Sequence, residues 1–251
     1  MKNKNKVYSI ALPILTFLCI VIIWSLASNS INSEYVLPSV SKTLSALVEL
    51  LGDGSFYSAF CSTLLRVLVA FILSFSLAFL CAGAISKRQI LSKVITPIVS
   101  VLRALPTVAV VLLLMFWTNS QIAPVIVTVL VVFPVLFTNL CASFDAVDKD
   151  VLQMCSLFNV PKKKIFYKVK LPSMLPTLTL AIGSGISLNL KLMVAAEVLA
   201  ATANSIGSKL SFSNYNLQVA TMIALVLVTV ITGVVVESVF SFISKKVGAW
   251  K

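Results

Sequence analysis

Five charged side chains fall within or near the long apolar stretches of this 251-residue chain: Arg66, Arg103, Lys191, Glu197 and Glu237. A charge in apolar surroundings is costly, so it usually faces a cavity, another charge or a polar boundary. Lys191 and Glu197 lie six positions apart, which does not put them on one helix face. Two hypotheses stand for both: they line or gate a polar path, or each pairs with another helix. For Arg66 and Glu237, a side chain that reaches towards the nearer polar boundary is the simpler explanation.

Residues that could carry catalysis are scarce in this sequence. The chain has no His, which removes the commonest general base and the commonest metal ligand. Its five Cys form no C-x-x-C pair, and no G-x-x-x-x-G-K-[ST] loop is present to hold a nucleotide. We therefore expect no catalytic residue, no metal site and no bound cofactor, and we do not expect the chain to be an enzyme.

The overall composition indicates that the chain is dissolved in lipid. Hydrophobic residues make up 59% of it and charged residues 11%, whereas soluble domains have about 45–50% apolar and about 25% charged residues. The formal net charge of +12 does not indicate nucleic-acid binding, because the basic residues cluster between apolar stretches and at the two ends. We predict an all-α membrane protein.

Apolar stretches of about 20 residues can cross a bilayer as helices, and the chain contains about six of them. The first follows Lys2, Lys4 and Lys6, and its length favours a retained anchor over a cleaved signal peptide. The third contains Pro97 and Pro106, so we expect it to be broken or kinked near Arg103–Pro106. The six predicted spans are 7–27, 58–85, 90–117, 122–141, 174–200 and 217–243.

The distribution of basic residues predicts the orientation in the membrane. Outside the predicted spans, every Lys and Arg except Lys42 and Lys209 falls on one side. By the positive-inside rule, that side, with both termini and the 145–172 loop, is cytoplasmic. The chain is thus expected to be a multi-pass protein of the inner or plasma membrane. On the other side, apolar residues recur at helical spacing over 39–51, which predicts a helix lying in the outer interface or capping the bundle.

The 145–172 loop contains a predicted amphipathic helix from Asp150 to Phe158, which a turn at Pro161 follows. Its apolar stripe consists of Val151, Leu152, Cys155 and Phe158. A short helix with an exposed apolar stripe fits a groove on another protein. The loop is therefore a predicted docking surface for a cytoplasmic partner.

The same loop carries a recognisable spacing. Gln153-Met154-Cys155 is followed after three residues by Asn159, after nine more by Val169, and after one more by Leu171-Pro172. This spacing resembles the signature loop of binding-protein-dependent ABC importer permeases, E-A-A, three residues, G, nine residues, I, one residue, L-P. Asn can replace the Gly because both tolerate the left-handed conformation that ends a helix.

The resemblance extends along nearly the whole chain, through Leu37–Ser39, Thr63–Val67, Arg103–Pro106 and Ala195–Glu197. These segments look like the nitrate, sulfonate, taurine and thiamine-precursor branch of the family. The resemblance implies one transmembrane permease domain over 1–251 with the type I importer fold and a cytoplasmic coupling helix. The implied coupling residues are Val151, Leu152, Gln153, Met154, Cys155, Phe158, Asn159, Leu171 and Pro172.

In that family the permease is a dimer, here expected to be a homodimer. Two cytoplasmic ATPase subunits dock on its loops and use the ATP, and an extracytoplasmic binding protein delivers the solute. The implied function is import of a small polar or anionic solute of the sulfonate, nitrate, taurine or vitamin-precursor class. The alternative hypothesis is a secondary transporter or channel that needs no ATPase; inverted repeats would favour it, and we find no convincing repeat.

Overall fold

A computed structural model describes residues 2–145, 147 and 149–248 of the chain, and the elements in these ranges are all helical. The helices are α1 (Lys2–Ile31), α2 (Val40–Gly52), α3 (Gly54–Lys87), α4 (Ser92–Ala104), α5 (Thr107–Trp117), α6 (Ala123–Asp145), α7 (Lys149–Leu157), α8 (Lys162–Ile165), α9 (Leu171–Leu199), α10 (Ile206–Tyr215) and α11 (Val219–Gly248). A 3₁₀ turn at Gln89–Leu91 precedes α4, and a π-helical turn at Phe166–Lys170 joins α8 to α9.

Most of the predicted spans correspond to long apolar helices. Within the part of the chain that was searched, α3, α6, the continuous α8–α9 segment and α11 are long and apolar enough to cross a membrane, and α4 with α5 makes a fifth, bent span. The predicted first span lies inside the 30-residue helix α1, of which Leu18–Ile31 is a shorter apolar helix in the same search. The all-α membrane fold is confirmed, whereas the prediction of one permease domain remains a prediction.

The predicted break in the third span is confirmed. Helices α4 and α5 are bent by 95° at Leu105-Pro106. Proline forces the residue before it into extended backbone, and Leu105 accordingly has φ −66° and ψ 127°. On the last turn of α4, Arg103 donates through Nη2 to the Pro134 carbonyl at 3.1 Å and to the Thr138 hydroxyl of α6. The broken span is thereby attached to α6.

Contacts divide the chain into two compact units, of which the first comprises Met1–Ser58 and Lys209–Val228. In this unit the indole of Trp24 donates to the Pro38 carbonyl at 3.1 Å, and the Ser28 hydroxyl donates to the Leu37 carbonyl at 3.0 Å. Both bonds hold the loop between α1 and α2 against α1. The helix predicted over 39–51 is confirmed as α2, which Ser39 caps by accepting a bond from the Lys42 amide.

A polar cluster fixes the junction between α2 and α3 within the same unit. Asp53 accepts bonds from the Ser55 amide at 2.8 Å and from the Ser55 hydroxyl, and it pairs with Lys209 Nζ at 3.1 Å. The hydrogen bonds from Ser55, followed by Lys209, lower the pKa of the Asp53 carboxyl to about 2. Asp53 is therefore ionised at neutral pH, next to the first turn of α3, where a negative charge is favoured.

The second unit comprises Ala59–Ser208 and Thr229–Lys251, and its core lies between α3, α4, α6 and α9. Its fully or nearly buried side chains are Phe71, Ala78, Ala82, Val99, Val132, Leu136, Phe137 and Leu140. Small residues of α9 allow close approach to this core and to α11. A Cβ at Gly183 would lie 2.6 Å from Phe240 Cβ, and one at Gly185 would lie 2.6 Å from Leu136 Cδ2. Both glycines therefore serve helix packing, as small residues commonly do in lipid.

These clearances predict the effect of adding one methyl group at two helical glycines. Gly183→Ala should destabilise the protein by about 1–3 kcal/mol, because Phe240 Cβ is fixed to its backbone and α11 must shift. Gly83→Ala is the matched control, since a Cβ there meets no atom within 4 Å, and it should stabilise helix α3 by about 0.5–1 kcal/mol. Thermal unfolding in detergent measures both. Equal unfolding midpoints for the two variants would show that α9 and α11 are not in close contact at Gly183.

Candidate functional site

The loop singled out by the sequence forms a short helix followed by a sharp turn. Helix α7 covers Lys149–Leu157, against the prediction of Asp150–Phe158, so the helix is confirmed to within one residue at each end. Asp150 lies in its first turn, where a carboxylate is favoured by the helix dipole.

Helix α7 ends at Asn159 in a hydrogen-bonded cap. Asn159 has φ 50°, in the left-handed region. Its amide donates to the Ser156 carbonyl at 3.1 Å, and the Val160 amide donates to the Cys155 carbonyl at 3.0 Å. This pair of bonds is the Schellman motif, which normally uses Gly at the position of Asn159. The expectation that Asn159 tolerates the left-handed conformation that ends a helix is confirmed.

The apolar residues of α7 and its cap divide into two faces. Leu152 and Cys155 are half-buried, so part of the predicted stripe faces the chain itself. The exposed apolar residues are Val151, Met154, Leu157 and Phe158, with exposed fractions of 38%, 57%, 79% and 76%. Of the other implied coupling residues, Gln153 and Asn159 are exposed as well. The exposed face thus includes Leu157, which the sequence reading did not name.

The path from α7 back to the apolar spans is helical. After Pro161, α8 and the π-helical turn lead directly into α9, where Leu171 is half-buried and Pro172 exposed. The π-helical turn was not predicted, and nothing in its sequence signals it. Four lysines of this segment are exposed: Lys162, Lys163, Lys164 and Lys168. The exposed apolar face of α7 is therefore followed by a strongly basic surface.

At the other end of α9, Glu197 forms a buried ion pair. The carboxylate has no exposed surface, and its Oε1 accepts from Arg66 Nη1 at 3.0 Å. Its Oε2 accepts from the Thr63 hydroxyl at 2.9 Å and from the Gly207 amide at 3.3 Å. Both carboxylate oxygens therefore have donors from α3 or from the start of α10. A buried charge requires this degree of compensation.

The partners of Glu197 extend the network to two loops. Arg66 Nη2 donates to Gln121 Oε1, just before α6, and to the Ala203 carbonyl at 3.5 Å. The Thr63 hydroxyl accepts from the Ile206 amide at 3.0 Å. A Cβ at Gly207 would lie 2.5 Å from Glu197 Cβ, so this close approach of α10 to α9 requires glycine. The pair therefore joins α3, α9, the start of α10 and the loop before α6.

The structure separates the two residues predicted for a translocation path. Glu197 is buried against α3, which supports the hypothesis that it pairs with another helix. Lys191 is exposed on α9 and is not brought to Glu197, so its role in a path stays a prediction. The pairing of Arg66 was missed. Arg66 and Glu197 both lie near the outer ends of their predicted spans. A comparison of their depths in the membrane would therefore have indicated the pair.

The described fold and loop define a class: a multi-pass helical membrane protein with a short, exposed amphipathic helix in a lysine-rich loop. Comparison with family models identifies it further. The chain belongs to the family described as the binding-protein-dependent transport system inner membrane component, whose model matches residues 74–249. It is therefore a permease component of an ABC importer. In this family the ATPase is a separate subunit, so the chain is not itself an enzyme.

Individual relatives agree with this assignment. A putative ABC transporter permease protein of Methanocaldococcus jannaschii is 22% identical over the whole of this chain and 94% of its own length. The formylaminopyrimidine transport permease protein ThiX of Halalkalibacterium halodurans is 23% identical over 66% of each chain. The taurine transport system permease protein TauC of Escherichia coli is 20% identical over 71% of this chain and 67% of that relative.

A solved structure shows the same fold. An amino acid ABC transporter chain, crystallised with histidines, superposes with a TM-score of 0.63, covering 76% of this chain and 94% of that one at 13% identity. At this identity the likeness concerns the fold alone. The type I importer fold predicted from the sequence is therefore confirmed.

The buried pair generates a prediction about stability. Arg66→Met leaves the Glu197 carboxylate buried without its cation, so we expect a loss of about 3–5 kcal/mol, whereas Arg66→Met combined with Glu197→Met should lose less than Arg66→Met alone. The control is Lys42→Met, which removes the exposed pair with Glu34 and should change stability by less than about 1 kcal/mol. Thermal unfolding in detergent is the measurement. Equal losses for Arg66→Met and Lys42→Met would show that the pair is not a buried one.

Proposed function

We propose that this chain is the membrane-spanning permease subunit that forms the translocation path for a small polar or anionic solute. The solute belongs to the sulfonate, nitrate, taurine or vitamin-precursor class. Separate ATPase subunits drive transport by docking on α7, two copies of the chain form the path, and an extracytoplasmic binding protein delivers the solute. Both termini and the α7 segment lie on the cytoplasmic side.

The observation that carries this proposal is the exposed apolar face of α7. Met154, Leu157 and Phe158 are each more than half exposed, and they lie in a loop that the positive-inside rule assigns to the cytoplasm. An exposed apolar helix face of this kind fits a groove on a partner, the helix-in-groove mode of recognition. The partner that the family supplies on this side is the ATPase.

The geometry also supports a mechanical role for α7. The Schellman cap at Asn159 fixes the end of the helix, and after the turn at 158–161 the segment continues as helix through α8, the π-helical turn and α9. A displacement of α7 by its partner would therefore pass to α9 through a short, hydrogen-bonded turn and continuous helix rather than through a flexible linker. At its far end, α9 is held by the Arg66–Glu197 pair. Movement of α7 would thus tilt α9 about an anchored end.

The solute class rests on two relatives and one side chain. The printed names of ThiX and TauC specify formylaminopyrimidine and taurine transport for those two proteins. Lys191 is exposed on α9, where an ammonium group would attract an anionic or polar solute. A path between two copies would place such a side chain next to the passing solute.

Charge placed on the exposed face of α7 should release the ATPase. Leu157→Asp buries a carboxylate in the proposed groove, and loss of a central apolar contact costs at least about 2 kcal/mol, or roughly thirtyfold in affinity. The control is Val48→Asp on α2, a similarly exposed apolar position at 71% on the opposite predicted side. Co-purification of the ATPase with the tagged chain is the measurement.

The expected pattern is full recovery of the ATPase with the native chain and with Val48→Asp, and loss with Leu157→Asp. Undiminished recovery with Leu157→Asp would exclude α7 as the docking helix. Recovery of an active transporter that contains no ATPase would contradict the proposed function as a whole.

A further inference from the structure

A second feature of the lysine-rich side is a groove between α3, the end of α6 and the π-helical turn. Its volume is about 530 Å³. The apolar walls are Phe79, Leu80, Phe144, Phe166 and Met174, and Gly83 contributes bare backbone. Leu80 is 68% exposed, and Phe79 and Phe166 are 44% exposed each. The groove therefore presents apolar surface that the described part of the chain leaves uncovered.

The charged residues that line the groove are both basic. They are Lys87, on the last turn of α3, and Lys170, the last residue of the π-helical turn. No Asp or Glu is among the residues that line this groove. An occupant with a negative charge at one end is therefore complementary to it, and a cationic one is repelled.

The distance along α3 from the apolar residues to Lys87 fits the depth of one bilayer leaflet. Phe79 and Leu80 lie seven or eight residues before Lys87 on the same helix, which is about 10–12 Å at 1.5 Å per residue. Lys87 ends an apolar span, where Lys side chains meet the headgroup layer. Phe79 and Leu80 consequently lie at the level of acyl chains, where no water is available to fill the groove.

The opening at Gly83 leaves room for a chain. A Cβ at this position would meet no atom within 4 Å, although the residue lies in the interior of α3. Aromatic side chains border the opening, since the rings of Phe79 and Phe144 approach to 6.0 Å between centroids. The glycine therefore widens a channel between aromatic walls rather than serving contact with another helix.

We propose that this groove binds an anionic phospholipid from the lysine-rich leaflet. Its phosphate lies between Lys87 and Lys170, and one acyl chain follows the channel at Gly83 along Phe79 and Leu80. Because Phe166 and Lys170 belong to the turn between α8 and α9, the bound lipid stiffens the connection between α7 and the membrane spans. The site does not depend on the identity of the transported solute.

Native mass spectrometry tests the site by measuring lipid binding to the full chain. The chain is titrated with phosphatidylglycerol and, separately, with phosphatidylcholine of the same acyl chains. The native chain should bind phosphatidylglycerol more tightly than phosphatidylcholine. Lys87→Gln and Lys170→Gln should each weaken phosphatidylglycerol binding by about fivefold, the value for one basic residue near an anionic surface, without changing phosphatidylcholine binding. Gly83→Leu fills the channel and should weaken both lipids, and Gly83→Ala should have a smaller effect.

Lys168→Gln is the matched charge control, because Lys168 is exposed in the same turn and is not among the lining residues. It should leave phosphatidylglycerol binding unchanged. A loss with Lys168→Gln equal to that with Lys87→Gln would overturn the proposal in favour of diffuse attraction to the basic surface. Unchanged binding in Gly83→Leu would also overturn it, because no acyl chain would then occupy the groove.

Discussion

The ion pair between Arg66 and Glu197 is the constraint on which the packing of α3, α9 and the start of α10 in the second unit depends. A carboxylate with no exposed surface is tolerated only when each oxygen has a donor, and here α3 and the start of α10 supply them. This requirement fixes α9 against α3 at one depth and one rotation. It also explains why Gly207 must pass within contact of Glu197, and why Thr63 both donates to the carboxylate and accepts from the Ile206 amide.

Because the ion pair holds one end of α9, a displacement applied at the opposite end can move the helix. Its opposite end continues as helix through the π-helical turn and α8, and a capped turn at 158–161 joins α8 to α7. A short turn and continuous helix therefore connect the exposed apolar residues of α7 to the buried pair. Close packing at Gly183 and Gly185 keeps α9 against α11 and the core. If the ATPase docks on α7 as proposed, force applied there would tilt α9 about its anchored end. A lipid seated beside Lys170 would act on the same connection.

The sequence predicted those features that the lipid environment or local backbone chemistry decides. Hydropathy located the long helices because a span requires about 20 apolar residues, and Pro106 located the 95° break because proline excludes helical backbone before it. Asn159 was accepted in place of the signature glycine because both residues tolerate the left-handed region, which Asn159 adopts. Helix α10 and the π-helical turn were missed, since neither has a hydrophobic period of its own. The partner of Arg66 was missed because it lies 131 positions away, and the half-burial of Leu152 and Cys155 depends on what α7 packs against rather than on its own pattern.

The central claim is that this chain imports a solute only when a separate ATPase acts on α7. Its most direct test is uptake of a radiolabelled solute into proteoliposomes that contain the chain with its ATPase. Taurine and formylaminopyrimidine are the first solutes to test. The binding protein and the solute are added on the side of the membrane that the predicted outer face of the chain contacts. We predict accumulation that requires ATP, the ATPase and the binding protein together, and that Leu157→Asp abolishes. Solute uptake by the chain alone, driven by an ion gradient and indifferent to ATP, would contradict the account.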